Sequence, residues 1–173
     1  ITDARLSTGY SPGNIEEVKQ IVQKGISTSE LGTSIKYSNF GYCILGCIVE
    51  AISGLSYEKY AIENILKPLE MKYSAMGPKK TIKDQFASGY TTWYPDRPRE
   101  KIHKYVYESL DHLYITVGGL VSNAEDLMKF WAAHFEGNEE LLSDEIKAEM
   151  HKTSVQLDNQ QRGIGFEITN IPG

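Results

Sequence analysis

The chain has little cysteine, and this absence excludes a disulfide framework. Its two cysteines, Cys43 and Cys47, fall one helical turn apart, a spacing that is awkward for a disulfide within one helix. We therefore predict that both are small buried thiols. A metal site is not expected, because no paired spacing typical of zinc ligands occurs among the four histidines, His103, His112, His134 and His151.

Long apolar runs and an excess of positive charge are also missing. No stretch approaches the roughly 20 apolar residues that a membrane-spanning helix needs, so no membrane span is expected within this chain. Ile1 is not followed by the basic and then apolar pattern of a signal peptide, so any export signal is expected to lie outside this sequence. A formal net charge of −5 disfavours non-specific attraction to nucleic acid, which is not an expected partner.

What is present suits one globular domain. The 173 residues are 40% hydrophobic and 24% charged, and a chain of this size buries roughly 70% of its unfolded surface. We predict a single helix-rich domain over residues 1–173, a mainly α fold with a short β edge. Asn14 can cap a first helix from Ile15 to about Lys24, which Gly25 ends, and a third helix fits Tyr57 to about Leu66, before Pro68.

Between them lies the most apolar segment of the chain. From Gly41 to Ser53 a helix is predicted, ended by Gly54, because Leu45, Ile48, Val49 and Ile52 recur at helical spacing. Gly46 weakens helix propensity in the middle of that segment. Its presence there suggests that another part of the backbone packs closely against it.

The second half of the chain gives weaker signals. Residues 76–116 hold several prolines and tyrosines without clean periodicity, so we expect an irregular excursion with at most one short helix or strand. The string from Ser122 to Glu125 fits a capping box ahead of a helix from Glu125 to Phe135. The residues predicted for its inner face are Leu127, Phe130, Trp131 and His134. Ser143 starts a last helix to about Lys152, and residues 163–168 read as the start of a strand.

The tripeptide Tyr37-Ser38-Asn39 is the strongest candidate for a functional site. It places a phenol and a carboxamide at the mouth of the apolar helix, where two polar groups can take part in chemistry. Taken alone, the tripeptide is weak evidence for a functional site. Ser38 and Asn39 are also ordinary helix N-cap residues, and Tyr37 is equally compatible with a half-buried aromatic residue.

Several further sequence motifs, in a fixed order, strengthen the evidence that the tripeptide is part of a functional site. The order Y-S-N-x-G-Y-x-x-L-G, then S-G, then P-L-x-M resembles serine hydrolases of the penicillin-binding type: class C β-lactamases, D-alanyl-D-alanine peptidases and related esterases. Further family phrases match residues 87–90, residues 118–127 and residues 163–166. The resemblance covers nearly the whole chain and implies the helical subdomain of the β-lactamase/transpeptidase-like fold. The chain departs from the family's usual proline at Leu31 and usual glycine at Glu70, both at turns.

The resemblance also implies roles for the matching residues. Tyr37 would shuttle a proton to or from a nucleophilic serine and the leaving group, and Asn39 would hydrogen-bond the substrate amide or the active-site lysine. Ser38, Gly118 and Gly119 would line the substrate cleft. The substrate would be a β-lactam, a D-alanyl peptide or an ester, and the family suggests a bacterial cell envelope or secreted location. The resemblance implies neither a metal nor an organic cofactor, because serine, lysine and tyrosine supply the chemistry.

The other motifs of the family's active site are not found in this sequence. The family needs an S-x-x-K nucleophile upstream and a K-T-G or H-x-G strand downstream. The string Ser56-Tyr57-Glu58-Lys59 follows Y-S-N instead of preceding it, Thr33-Ser34-Ile35-Lys36 has threonine in place of serine, and Lys152-Thr153-Ser154 lies at a helix end. We therefore expect the central piece of a larger hydrolase, inactive by itself.

Two alternatives remain open. The parent protein could be a non-catalytic member of the same fold that binds a peptide or a β-lactam-like ligand as a sensor. The chain could also be an unrelated helical interaction domain that shares Y-S-N by chance. The full parent sequence would discriminate the first alternative, because an upstream S-x-x-K favours an enzyme.

Overall fold

A computed structural model describes residues 15–25, 30, 33–77, 86–90, 95–101, 115–152, 155–157 and 160–169. As predicted, this part of the chain is mainly helical with short strands. The helices are α1 (Ile15–Gln23), α2 (Asn39–Ser53), α3 (Tyr57–Ala61), which continues as a π-helical turn (Ile62–Leu66), α4 (Ile115–Gly118), α5 (Ala124–Ala132) and α6 (Asp144–His151). The strands are β1 (Ala75–Met76), β2 (Leu120–Val121), β3 (Val155–Leu157), β4 (Gln160–Arg162) and β5 (Glu167–Ile168).

Helix α1 packs one side of its apolar face against α2. Val18 and Ile21 are buried there, whereas Val22 is exposed. The helix ends one residue short of the predicted Lys24, and Gly25 follows with φ of 60°, a conformation that glycine adopts without steric cost. The predicted cap Asn14 lies outside the described residues.

Helix α2 matches its predicted position closely, with Ser38 as the N-cap and Gly54 as the left-handed C-cap, φ 70°. Its buried side chains face α1 and α4. At Gly46 a Cβ atom would overlap the Thr116 side chain of α4, so the glycine allows the two helices to approach. The predicted close approach is confirmed, although a side chain and not a backbone fills the space.

The third predicted helix is present, and its second half is a π-helical turn that ends two residues before Pro68. Ser56 caps α3 by accepting a hydrogen bond from Lys59 N at 3.2 Å. The larger core cluster forms where this segment meets the following turn and α5. Its buried members are Ala61, Leu66, Leu69, Met71, Met76 and Ala133.

Two small antiparallel sheets supply the predicted β edge. Strands β1 and β2 pair with Ala75 opposite Val121, and β3, β4 and β5 form a three-stranded sheet in that order. Strand β5 agrees with the strand predicted near residue 168, whereas β3 and β4 were not predicted. The described parts of the irregular segment over 76–116 include the end of β1, an isolated bridge between Tyr90 and Lys101, and the start of α4. Residues 78–85, 91–94 and 102–114 lie outside the described residues.

The predicted start of α5 is wrong by one residue. Asn123, not Ser122, is the N-cap, and its Oδ1 accepts a hydrogen bond from Asp126 N at 2.9 Å. The reason is that the Ser122 hydroxyl is used elsewhere, in a hydrogen bond of 2.7 Å with Ser74.

The predicted inner face of α5 is also wrong in part. Leu127 and Trp131 are exposed, whereas Asp126 and Ala133 are the buried residues. The exposed Trp131 ring still contacts Phe166, with ring centroids 6.4 Å apart. The buried side of α5 therefore includes a carboxylate, although an apolar face was expected.

Helix α6 agrees with its predicted start, since Ser143 caps it and Asp144 and Glu145 occupy the first turn. Its Lys147 is buried and donates hydrogen bonds to the carbonyl oxygens of Phe135 and Asn138, at 2.7 and 2.6 Å. These bonds connect α6 to the loop that follows α5.

Among the described residues, α2 and the α3–π segment are the only pair whose combined length and composition resemble a membrane span, and they are bent by 78°. No single described helix passes that test.

Candidate active site

The predicted tripeptide lies at the point where an irregular segment becomes helix α2. Ser38 has an extended backbone, φ −148° and ψ 104°, and its Oγ accepts a hydrogen bond from Gly41 N at 3.0 Å. This capping bond satisfies one of the free N–H groups in the first helical turn. The Ser38 hydroxyl therefore has a structural role in the described part of the chain.

Tyr37 precedes the cap and is open to solvent, with 70% of its surface exposed. An aromatic residue that only filled the core would be covered. The exposed phenol is thus accessible to a ligand or to another part of a larger protein. The alternative interpretation of Tyr37, as a half-buried aromatic residue, does not agree with this exposure.

Asn39, the first residue of α2, has a buried side-chain oxygen. Within the described residues, Asn39 Oδ1 has no hydrogen-bond partner. A buried acceptor without a partner costs about 1–3 kcal/mol, so such a group usually has a reason for its position. The oxygen is therefore an acceptor that a donor from outside the described residues would satisfy.

A small apolar cluster fixes the two ends of the candidate site. Phe40, next to Asn39, packs in the buried cluster with Val18, Ile21 and Cys43, and Val117 of α4 packs against the same cluster. Because Val117 immediately precedes Gly118, this contact holds the predicted cleft glycine close to the first turns of α2. The sequence-distant residues Asn39 and Gly118 are therefore each attached to one shared core.

The two predicted cleft glycines have different surroundings. Gly118 is exposed, and a Cβ atom there would meet no atom within 4 Å. Gly119 is buried, and a Cβ atom there would lie 2.6 Å from Ile115 Cα. Its carbonyl accepts a hydrogen bond from Gly77 N at 2.6 Å, which extends the β1–β2 pairing. Gly118 has the openness that a cleft wall requires, and Gly119 provides the tight turn behind it.

A buried polar network that was not predicted supports this turn. Asp126 is fully buried, and its Oδ2 accepts hydrogen bonds from Tyr73 N at 2.7 Å and Ser74 Oγ at 2.9 Å. Its Oδ1 accepts a hydrogen bond from Lys129 Nζ at 2.9 Å. Ser74 also bonds Ser122, so the network joins the residues before β1 to those after β2. A charged residue at an inward position of α5 was the available signal in the sequence.

Burial alone would raise the pKa of the Asp126 carboxyl. The hydrogen bonds from Lys129, Ser74 and the Tyr73 backbone outweigh burial and hold that pKa below its ordinary value. The same bond to Asp126 raises the pKa of Lys129. Both groups are therefore ionised at neutral pH, and the network is an ion pair with additional donors.

A cluster of aromatic rings that includes two histidines lies at the C-terminal end of α5. The rings of His134 and Phe166 have centroids 5.4 Å apart, and His151 contacts Phe166 at 4.7 Å. Neither nitrogen of His134 has a hydrogen-bond partner in the described structure. Burial, together with the positive charges of His151 and Lys147, lowers the pKa of His134.

The two cysteines do not form a disulfide. Cys43 is buried and Cys47 is partly buried, and burial raises the pKa of the Cys47 thiol. The prediction of buried thiols is thus confirmed for Cys43 and holds only partly for Cys47. No group of three or more potential metal-ligating side chains occurs in the described ranges.

The strings that imitate the missing motifs have ordinary structural roles. Ser56 is the cap of α3, and Lys59 pairs with Glu63 at 4.0 Å on the exposed side of the same helix. Thr33 donates a hydrogen bond to the Glu30 carbonyl at 2.7 Å. Lys152 is the C-cap of α6, and the two residues after it lie outside the described ranges.

Comparisons with known proteins agree with the resemblance. The Beta-lactamase family model matches residues 4–173. A curated relative, the N-acetylmuramyl-L-alanine amidase of Bacillus subtilis, is 39% identical over 49 residues, which make up 28% of this chain and 11% of the relative.

Solved structures give the same picture over more of the chain. The octameric penicillin-binding protein homologue from Pyrococcus abyssi has a TM-score of 0.70 and 26% identity, and the match covers 89% of this chain and 35% of that one. A class C β-lactamase has a TM-score of 0.71 and 19% identity over 94% of this chain and 43% of its own, a likeness of fold alone. The chain thus spans less than half the length of these structures. Because the family model covers almost every residue, the chain belongs to the Beta-lactamase family, and its fold is the helical part of the β-lactamase/transpeptidase-like fold.

Proposed function

We propose that this chain is the central part of a penicillin-binding-type serine hydrolase and contributes the tyrosine and the asparagine of its reaction centre. The reaction would be acyl transfer to water through a serine ester, with a β-lactam, a D-alanyl peptide or a simple ester as substrate. The observation that carries the proposal is the exposed phenol of Tyr37 directly before the buried, unpartnered carboxamide oxygen of Asn39.

In this proposal Tyr37 moves a proton in both directions. As a general base, its side-chain oxygen takes the proton from the serine hydroxyl while the serine oxygen bonds to the substrate carbonyl carbon. The tyrosine then gives that proton to the leaving group as the bond from carbonyl carbon to leaving group breaks. In the second half of the cycle, Tyr37 takes a proton from water as the water oxygen bonds to the acyl carbon, and it returns this proton to the serine oxygen as the ester bond breaks and the acid leaves. A residue with this task must be accessible to the substrate, and the exposure of Tyr37 supports this role.

Asn39 and Gly118 would position the substrate. A carboxamide offers one acceptor and two donors, so Asn39 suits a substrate amide or the ammonium of an active-site lysine. Gly118, which has open space where a side chain would project, suits the wall along which a substrate lies. Both are attached to the Phe40 cluster, which would keep their spacing constant.

The isolated chain is not expected to catalyse hydrolysis. Three described serines follow Tyr37 in this segment: Ser38 and Ser56 accept helix-capping bonds, and Ser53 Oγ donates to the Val49 carbonyl at 2.6 Å. Removing the nucleophile alone eliminates nearly all acceleration in enzymes of this mechanism. Incubation with nitrocefin or a p-nitrophenyl ester should therefore give no burst of product, and a stoichiometric burst would show that this chain has its own nucleophile.

The role of Tyr37 is tested in the whole protein. Tyr37→Phe should lower kcat by about two to four orders of magnitude, the usual effect of losing a general acid or base. Tyr73→Phe is the matched control, because the Tyr73 ring is also exposed and it is the backbone N–H of this residue that bonds Asp126. Full activity in Tyr37→Phe would remove the assigned role. Stable ligand binding without any turnover by the unmodified whole protein would favour the sensor alternative.

A further inference from the structure

Asn39, Cys43 and Gly46 lie on one face of helix α2. Seven residues make nearly two helical turns, so Gly46 faces within about 20° of the direction of Asn39 and lies about 10 Å further along the helix axis. Cys43 and Gly46 are buried on this face, and the Asn39 Oδ1 atom is buried as well. The carboxamide of the candidate site is therefore in line with the buried face of α2.

Helix α4 contacts this face through two consecutive residues. A Cβ atom added at Gly46 would overlap Cγ2 of Thr116 and lie 2.8 Å from its Cβ, so the Thr116 side chain occupies the space that the glycine leaves. Val117 packs against the buried cluster that joins α1 to α2. Gly118 ends α4 directly after these two contacts. The contact at Gly46 thus connects Gly118 to the helix that begins at Asn39.

We propose that Gly46 is a positioning residue of the candidate site. By leaving room for Thr116, it sets the distance between the Asn39 carboxamide and Gly118, the two groups that position the substrate in the proposed function, on which this inference rests. Gly46 is buried beneath Thr116 and acts only through this neighbour, so it is not a catalytic residue.

Rotation of the Thr116 side chain would not make room for a methyl group on Gly46. Rotation about χ1 moves Cγ2 and Oγ1 but leaves Cβ in place, and Cβ by itself lies 2.8 Å from the added atom. Carbon atoms in contact prefer a separation of about 3.5–4.0 Å. The backbone of α4 therefore has to move away from α2 by roughly 1 Å.

The turn at Gly118 is too tightly bonded to absorb this movement. Gly119 N donates a hydrogen bond to the Ile115 carbonyl at 3.2 Å, which closes the single turn of α4. The Gly119 carbonyl accepts a hydrogen bond from Gly77 N at 2.6 Å on the other side. Gly118 therefore moves together with α4, and the distance that changes is the one between Gly118 and the start of α2.

The expected effect falls on substrate binding more than on proton transfer. A displacement of about 1 Å within a site can lower the rate by about 100-fold. In the proposed function the displaced group is Gly118, which lines the cleft, whereas Tyr37 stays beside Asn39. A change that weakens substrate binding in the ground state and the transition state alike raises KM and leaves kcat unchanged.

The test is steady-state hydrolysis of nitrocefin or a p-nitrophenyl ester by the whole protein at 25 °C. Gly46→Ala should raise KM by about 10-fold and change kcat by less than about threefold. The matched control is Ser143→Ala, which removes the capping bond from Ile146 N at 3.4 Å and should lower Tm by a few degrees. This control should leave both kinetic constants unchanged, because α6 carries no residue of the candidate site.

Shortening Thr116 should rescue Gly46→Ala in steps. Thr116→Ala removes the overlapping Cγ2 and keeps the Cβ at 2.8 Å, whereas Thr116→Gly removes both atoms. Each double variant is compared with the same Thr116 single variant, so that the effect of the shortened side chain itself cancels. The KM ratio should fall from about 10 with threonine to an intermediate value with alanine and about 1 with glycine. If Gly46→Ala does not fold by itself, the alanine and glycine steps still test this order.

Two results would overturn the positioning role of Gly46. A KM ratio near 1 for Gly46→Ala, together with a lowered Tm, would show that the glycine contributes to stability alone. A KM ratio that is the same with threonine, alanine and glycine at position 116 would show that Gly46 does not act through Thr116.

The positioning role of Gly46 and the proposed function can fail separately. If the stepwise rescue is observed while Tyr37→Phe keeps full activity, Gly46 positions the site and the role of Tyr37 is refuted. If Tyr37→Phe abolishes turnover while Gly46→Ala has the KM of the unmodified protein, the role of Tyr37 stands and the positioning role of Gly46 is refuted.

Discussion

The substitution Asp126→Asn tests whether one buried carboxylate holds the two sides of the β1–β2 turn together. Asn has the same shape as Asp, so the change removes charge and one acceptor without leaving a cavity. The best orientation of the new carboxamide keeps its oxygen on Tyr73 N and Ser74 Oγ. Its NH2 group then faces the Lys129 ammonium, where two donors meet and the 2.9 Å bond is lost.

The expected cost follows from the bonds affected. A hydrogen bond to a charged group contributes about 1.5–3 kcal/mol, and the bonds that remain to Asp126→Asn lose their charge assistance. Lys129 is partly exposed and donates to the Glu70 carbonyl at 2.8 Å, so water and that carbonyl compensate it in part. We expect a loss of about 2–3 kcal/mol in the free energy of unfolding at pH 7. For a chain of this size that lowers Tm by about 4–12 °C.

The pH dependence has a definite sign. Because the folded pKa of Asp126 is lowered, the unfolded state binds the proton more readily and the carboxylate stabilises the folded state above its ordinary pKa of about 3.9. This contribution disappears as pH falls through the lowered folded pKa. The difference between the wild-type chain and Asp126→Asn should therefore be full at about pH 7 and shrink below about pH 4.

Urea unfolding followed by circular dichroism measures the effect, with Glu125→Gln as the matched control. Glu125 is the preceding residue, is exposed, and shares the first turn of α5, so it controls for the helix dipole. Its substitution should change the free energy of unfolding by about 0.5 kcal/mol or less. An Asp126→Asn cost as small as the control, or one that grows on acidification, would refute the role of the buried network.

Two further predictions concern packing and protonation. Gly46→Ala should lower the free energy of unfolding by about 1–3 kcal/mol, because the added methyl group would overlap the Thr116 side chain. The control Gly41→Ala, in the same helix, should be neutral or stabilising. Thermal denaturation compares the two variants, and equal effects would contradict the close approach of Thr116 to Gly46. Burial lowers the pKa of His134, so the folded chain should lose stability as pH falls below about 6.5, and His134→Phe should reduce the loss in Tm between about pH 8 and pH 5; an unchanged pH dependence would contradict it.

Much of the helical framework could be predicted because its signals are local. Ser143, Gly25 and Gly54 mark ends that the structure reproduces, since capping geometry depends on a few neighbouring residues. The cap of α5 was assigned one residue too early for a non-local reason. The Ser122 hydroxyl bonds Ser74, which lies 48 residues away in sequence, and no local pattern records that contact.

In the candidate site, too, the local features could be predicted from the sequence and the non-local features could not. The exposed Tyr37 and the capping role compatible with Ser38 follow from the chain entering a helix at Asn39. The different surroundings of Gly118 and Gly119 could not be predicted, because they depend on where the Ile115 backbone lies. The Asp126 network was missed because a charged residue in a helix is usually on the solvent side.

Helix α2 shows why periodicity alone does not identify a buried face. Leu45, Ile48 and Ile52 recur at the spacing that predicts the helix, yet they lie on its exposed side, and the buried side consists of Phe40, Cys43 and Gly46. Hydrophobic periodicity reports which faces are able to pack, and a helix with two such faces needs two neighbours. In the described part of the chain α1, α3 and α4 contact α2, and they leave Leu45 and Ile52 mostly exposed. Leu45→Ala should therefore change the Tm of this chain by less than about 2 °C in thermal denaturation, although Leu45 belongs to the pattern that predicts the helix.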